Sequence, residues 1–184
     1  MKITLMRHGE VEGGAKYRGV TDDRLTAKGL IQMQQAVEGV EIGVVWSSPL
    51  LRCCEFAEPL GDVEIIAKLA EIDFGDWDGL TYEEIVKSNA EKMALFHQQK
   101  YTPPNGESLR EFKQRVEEVW LALVERNEDI LVVTHAGVIR MILKIVLGLK
   151  FQKVFNFMIG YGCLVVLKID TNSGFVQLEQ VKNL

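Results

Sequence analysis

Histidine is scarce in this chain of 184 residues: there are three, His8, His97 and His135. Cysteine is equally scarce, with Cys53, Cys54 and Cys163. An odd count with two adjacent members argues against a disulfide framework. The three thiols read as small reduced hydrophobes. No Cys-x-x-Cys or His-Glu-x-x-His spacing is present, so no metal is expected. Long apolar runs are also missing. No stretch approaches the ~20 residues of a membrane helix. The most apolar segment, Val138 to Leu149, is interrupted by Arg140 and Lys144. Basic charge is in deficit: 21 Lys and Arg against 26 Asp and Glu leave a net charge of −5. That balance gives no electrostatic footprint for nucleic acid, and no basic run suits a membrane surface. The first ten residues, MKITLMRHGE, lack an apolar core of signal-peptide length, which points to a cytoplasmic protein. Repeats and low-complexity tracts are absent.

What is present is ordinary globular composition, 47% hydrophobic and 26% charged. The length suits one domain spanning residues 1–184 with a core of its own. Short apolar runs predict strands at Lys2–Met6, Gly43–Trp46, Val63–Ile66 and Ile130–Thr134. Cys163–Ile169 and Phe175–Val181 flank a turn-rich cluster at 170–174 and predict a terminal hairpin. Helices fill the gaps. Thr26 caps one that runs to about Val37, and Pro49 opens another from Leu50 to about Ala57. In Ser108–Arg126, Leu109, Phe112, Val116, Val119, Trp120 and Leu123 recur every three or four residues as one apolar stripe. Val138–Leu147 is the last helix, stopped near Gly148. The alternation predicts an α/β fold, three αβα layers around a largely parallel sheet with a C-terminal antiparallel hairpin. From Asp76 to Gly106 the strands cease. Helical material from about Tyr82 to Gln99 there reads as an insertion over one end of the sheet.

In open α/β sheets, ligands bind beyond the carboxyl ends of the strands. The first strand ends in Arg7-His8-Gly9-Glu10. The second leads through Ser47-Ser48-Pro49 to Arg52. Glu71 follows the third, and the fourth ends in His135-Ala136-Gly137 at a helix start. Two His, two Arg and one Glu therefore fall on one rim. Arg forks match phosphate oxygens, and a helix N-terminus offers N–H groups to the same anion. A neutral imidazole is a nucleophile toward phosphorus, kept neutral by neighbouring cations. A carboxyl group protonates the leaving alcohol. The sum is phosphoryl transfer without a required metal or cofactor. Singly, each residue has an ordinary alternative: a hydrogen-bonded histidine at a strand end, Arg52 as a helix surface charge, Glu71 as a cap. His97 reads as a helix-face residue that the insertion could carry over the substrate.

At these residues the chain resembles the histidine phosphatase superfamily, the phosphoglycerate-mutase-like clan. The ordered matches are Arg7-His8-Gly9-Glu10, Leu25-Thr26-Ala27-Lys28-Gly29, Ser47-Ser48-Pro49-Leu50-Leu51-Arg52, Leu69-Ala70-Glu71 with Gly75-Asp76-Trp77-Asp78-Gly79, Gly106-Glu107-Ser108 and Thr134-His135-Ala136-Gly137-Val138. The resemblance implies that His8 becomes transiently phosphorylated. Arg7, Arg52 and His135 would hold the phosphoryl oxygens, Glu71 would protonate the leaving group, and the Ala136 N–H would complete the anion pocket. Many members carry an Asn amide on the phosphate where this chain has Gly14. One donor is therefore missing from the expected binding set, and the loop is expected to be more flexible.

Within the superfamily the chain looks most like the short bacterial α-ribazole-5′-phosphate phosphatases of cobalamin nucleotide-loop assembly. Its length, Phe74-Gly75-Asp76-Trp77, Pro104-Asn105-Gly106-Glu107 and Tyr161-Gly162-Cys163 carry that likeness. Phosphoglycerate mutases are expected to differ by being longer. The implied activity is hydrolysis of a small phosphorylated metabolite, with α-ribazole 5′-phosphate first. The alternatives are a phosphoglycerate mutase, a broad-specificity phosphatase, or a non-catalytic phospho-ligand binder suggested by Gly14. The leaving group depends on the 76–106 insertion and on Tyr17 and Arg18. Oligomeric state is left open.

Overall fold

The computed structural model describes residues 1–184. Six strands form one sheet: β1 (Lys2–Arg7), β2 (Val44–Ser47), β3 (Val63–Ile65), β4 (Ile130–Thr134), β5 (Leu164–Ile169) and β6 (Val176–Lys182), in the order β3-β2-β4-β1-β5-β6. The first four run parallel, and the β5–β6 hairpin is antiparallel. All five residues of β4 are buried, as a central strand covered on both faces requires.

The pleat sorts the apolar side chains between two layers. Ile130 and Val132 join the core under α4 (Leu109–Arg126) and α5 (Ala136–Val146). Leu131 and Val133 face the opposite way, toward α1 (Ala27–Ala36) and α2 (Leu51–Ala57). The result is the expected α/β architecture, a sheet between two helical layers. In α4 the apolar stripe lies as its spacing predicts, with Phe112, Val116, Val119, Trp120 and Leu123 buried. Ser108 and Glu111 close a reciprocal capping box at its start. Thr26 caps α1 by accepting from Gly29 N–H at 2.9 Å.

Two helix boundaries differ from expectation by one or two residues. Pro49 stands outside α2, with Leu50 at the N-cap in extended conformation. The Leu51 N–H is satisfied instead by Asp22 Oδ1 at 2.7 Å, from a loop 29 residues upstream. α5 begins two residues earlier than expected, directly after His135. The helical part of the insertion is α3 (Tyr82–His97), opened by a Thr81–Glu84 capping box and kinked at Asn89. There the Asn89 side chain accepts from Lys92 N–H and recaps the second half. Trp77, Ile85 and Met93 form a small core of their own against Tyr17, Phe96 and Tyr101. No helix is long and apolar enough to cross a membrane.

Register positions the rim. Arg7 pairs with Thr134 across β1 and β4, and Ser47 pairs with Val133 across β2 and β4. The next residue on each strand is therefore His8, His135 and Ser48, side by side where the strands stop.

Candidate active site

The structure brings together the five side chains that the strand-end argument selects. The His8 and His135 rings lie edge to face with centroids 5.2 Å apart. Arg52 Nε donates to His135 Nδ1 at 3.3 Å. Arg7, His8 and Glu71 line one cavity of about 440 Å³, a usual size for a small-molecule site. Lys16, Arg18, Arg140 and Tyr161 share its wall.

Backbone geometry fixes His8. Its N–H donates to Thr134 O at 3.0 Å, and its carbonyl accepts from Gly162 N–H. The next residue must be glycine, because a Cβ on Gly9 would run into the Gly29 carbonyl of α1. His8 Nδ1 lies 2.8 Å from Gly9 O. A carbonyl only accepts, so Nδ1 carries the proton and Nε2 is left with its lone pair. Burial first, then the charges of Arg7 and Arg52, hold this imidazole well below the usual histidine range. It is neutral at pH 7.

His135 is fully buried and held neutral in the same way, by burial and then by Arg52. Because Nδ1 accepts from Arg52, the proton sits on Nε2, which donates to Ser48 Oγ at 2.7 Å. Both ring nitrogens thus have partners within the protein. Cys53 Sγ is a further 3.7 Å neighbour of Nε2, and burial pushes that thiol well up, so it stays protonated.

Arg52 is the largest fully buried side chain in the protein, not a helix surface charge. Its Nη1 donates to Thr21 O and its Nη2 to Gly19 O and Arg18 O. Four of its five N–H groups are committed, leaving one on Nη1. The loop that supplies those carbonyls is itself pinned. Asp78 accepts from the N–H groups of Gly19, Val20 and Thr21. The Trp77-Asp78-Gly79 element therefore reaches the rim through that loop.

Arg7 is held by Ile159 O at 2.7 Å and by stacking 4.2 Å over the Tyr161 ring. Its Nε is buried and has no partner within the protein, a donor that an anion in the cavity would satisfy. Glu71 is held at both oxygens, by Ile72 N–H at 3.1 Å and by Gly137 N–H at 3.0 Å. The second is an unpaired group of the α5 N-terminus. Glycine at 137 leaves room for the Glu71 carboxylate, since a Cβ there would displace it. Behind Glu71, Arg115 bonds the carbonyls of Lys68, Ala70 and Glu71 and pairs with Glu107. The Ala136 N–H also stands at the α5 N-terminus, where no side chain caps it.

Gly14 is not brought into the cavity wall; it is exposed with positive φ, and open space surrounds its α-carbon. Its loop is nonetheless tied, since Arg18 Nη2 donates to Glu12 O and Gly14 O. Arg18 lines the cavity on that side. Pattern reading misses Ser48, Arg115 and Arg140 as site-forming residues. The available signals were Ser48 beside the second strand end and Arg115 eight residues after Glu107.

A family model of the histidine phosphatase superfamily (branch 1) matches residues 3–182. The adenosylcobalamin/α-ribazole phosphatase of Escherichia coli strain K12 is 32% identical, over 97% of this chain and 94% of that one. The α-ribazole phosphatase of Shigella flexneri superposes with a TM-score of 0.87 at 28% identity, covering 100% of this chain and 96% of that one. A 2,3-bisphosphoglycerate-dependent phosphoglycerate mutase from Bartonella tribocorum is 27% identical over 93% of both chains. Length therefore does not separate this chain from the mutases, contrary to expectation. With two buried histidines, two arginines and a helix N-terminus gathered as the ordered motifs require, the chain belongs to the histidine phosphatase superfamily, branch 1.

Proposed function

We propose that this protein hydrolyses a phosphate monoester through a phosphohistidine, with α-ribazole 5′-phosphate as the first candidate substrate. The carrying observation is the His8 tautomer: Nδ1–H is spent on Gly9 O, so a neutral Nε2 lone pair is left between two arginines. That nitrogen attacks phosphorus. The N–P bond forms as the P–O bond to the alcohol breaks, and Glu71 gives its proton to the departing oxygen. Water then attacks the phosphohistidine and passes a proton to the Glu71 carboxylate. The N–P bond breaks, and inorganic phosphate and neutral His8 are restored. Arg7, through its partnerless Nε, and Arg52, through its remaining N–H, neutralise the charge on the equatorial oxygens. The Ala136 N–H adds to them. His135 keeps Arg52 and Ser48 in place and packs against His8. Arg18 stands in the cavity wall where the Gly14 loop offers no amide.

The substrate assignment is supported by the two α-ribazole phosphatases that match over nearly the whole chain. The site residues come from strand ends, helix starts and loops gathered at one rim of a single sheet, which supports a single domain over 1–184 with 76–106 as its cap. Phosphate release from α-ribazole 5′-phosphate tests the proposal. Interconversion of 2- and 3-phosphoglycerate without phosphate release would instead make the protein a mutase. Tight ester binding without turnover would make it a binder.

A pH dependence follows from the same histidine. Protonation of Nε2 ends catalysis, and burial with the Arg7 and Arg52 charges pushes that event well below the usual value of about 6.5. Once the ester's own second ionisation is factored out, kcat/KM stays level as pH falls through 6.5 and declines only at lower pH. An acid limb at the ordinary histidine value, in free-enzyme kinetics, would count against a buried neutral nucleophile.

A further inference from the structure

A second cavity of about 210 Å³ adjoins the first, and its character is different. Phe96, Leu109, Phe112, Phe151 and Phe155 contribute to its wall, and its one carboxylate is Glu71. The two cavities share Tyr17, Glu71, Phe74 and Arg140. The aromatic walls are preassembled: Phe151 and Phe155 meet edge to face at 5.3 Å, and Phe74 lies 5.0 Å from Tyr17. Arg140 stands at the junction, its guanidinium 5.3 Å above the Phe155 ring. Its Nε is buried and has no partner within the protein.

We infer that this cavity is a leaving-group subsite for a flat apolar ring, with Arg140 donating to an oxygen of the segment that links ring to phosphate. The inference rests on the phosphatase reading above. With phosphorus at His8 and the ester oxygen at Glu71, the carbon skeleton of the alcohol must continue past Glu71. Glu71 lies in the wall of both cavities, so the skeleton has two exits. The first cavity offers Lys16 and Arg18, whose charges are already paired with Asp23 at 2.8 and 2.7 Å. The second offers a wall that is mostly aromatic and aliphatic, with one unsatisfied donor, the Arg140 Nε–H, at its edge. Burial of a planar ring suits that wall, and the Arg140 Nε–H suits a hydroxyl or ether oxygen. The occupant is thus an alkyl phosphate whose alcohol carries a flat ring through an oxygen-bearing link. A compact, multiply charged sugar acid finds no match there.

The test compares kcat/KM for 2-phenylethyl phosphate and ethyl phosphate, two primary alkyl esters that differ in the ring. Wild-type protein is expected to prefer the aromatic ester by roughly 30-fold, the factor for burying one such ring. Phe155→Ala and Phe96→Ala, on separate walls, should each lower that ratio about fivefold, and Phe155→Trp should restore it. Arg140→Met should lower the ratio of α-ribazole 5′-phosphate to 2-phenylethyl phosphate, because only the first carries linker oxygens. A wild-type ratio below threefold, or one that neither wall variant moves, overturns the subsite. Phosphate release from both simple esters without preference overturns the subsite and leaves the phosphatase reading intact. No release from any ester overturns both. The wild-type ratio requires no variant, so a misfolded mutant cannot obscure the answer.

Discussion

Replacing His8 by Ala is expected to lower phosphate release from every substrate by at least about 10³-fold, the scale seen when a covalent nucleophile is removed. The loss is chemical and not structural. Removing the imidazole gives up one hydrogen bond, to Gly9 O, and a small amount of packing in a site that already opens to a cavity. The net cost of one such bond is about 1 kcal/mol. The backbone contacts of residue 8, to Thr134 O and from Gly162 N–H, do not depend on its side chain. The His8→Ala protein should therefore keep its circular dichroism spectrum and unfold within a few degrees of wild type, while forming no acid-labile phosphoenzyme from a radiolabelled ester. Retention of a tenth of wild-type turnover, or a labelled phosphoenzyme in the variant, would remove His8 from the mechanism. The buried His135, whose two nitrogens are occupied, would then be the remaining imidazole at the site.

The parts of this site that were legible from sequence share one property: they follow from where a strand stops. Arg7, His8 and His135 needed only two strand ends and the rule that ligands gather beyond them. The β1–β4 register then places the two histidines in contact. Capping signals were equally local, which is why Thr26 and Ser108 stand where their neighbours predict. Long-range contacts defeated the same reading. The strand-end argument selects Arg52 for the rim but does not show its anchoring, because its partners, the carbonyls of residues 18, 19 and 21, lie some 30 residues away in a loop held by Asp78. α2 starts one residue after Leu50, and its first N–H is satisfied by Asp22 from a distant loop, a contact that local pattern does not show. Arg115 lies off the apolar stripe of α4, where arginines usually face solvent, yet it carries the segment that presents Glu71. Arg140 looked like an interruption in an apolar run, but it is where two cavities meet.

The net charge of −5 is a property of the surface as a whole, and the rim runs against it. Arg7, Arg18 and Arg140 line a single cavity, with Arg52 fully buried against His135, while the acidic groups lie mostly elsewhere. Holding that many like charges together destabilises the empty site, and desolvation lowers the pKa of Arg7, Arg52 and Arg140 alike. A dianionic ester relieves both effects at once. Burial keeps His8 neutral first and the same arginine field adds to it, so binding and nucleophilicity share part of one electrostatic origin.

That common origin makes Arg52→Ala the most informative change after His8. Arg52 is 0% exposed and donates to three carbonyls and to His135. Truncation leaves those acceptors unsatisfied in a cavity, at about 1–3 kcal/mol for each buried group that water cannot reach. A stability loss of at least ~3 kcal/mol by urea unfolding is expected. Asp78 still pins the 19–21 loop, so the fold should persist at low temperature. Activity should fall at least ~100-fold, on the scale of losing one charge-stabilising donor. Arg52→Lys should not rescue it, because an ammonium cannot serve three carbonyls and an imidazole in one plane. The readout that packing alone would not move is the pH profile. Arg52 is the second of the charges that depress His8, after burial and Arg7, so its removal should shift the acid limb upward, toward the ordinary histidine value, and only part of the way. A variant that loses activity with an unmoved acid limb would make Arg52 a structural anchor of the 18–21 loop and take it out of the electrostatics of the nucleophile.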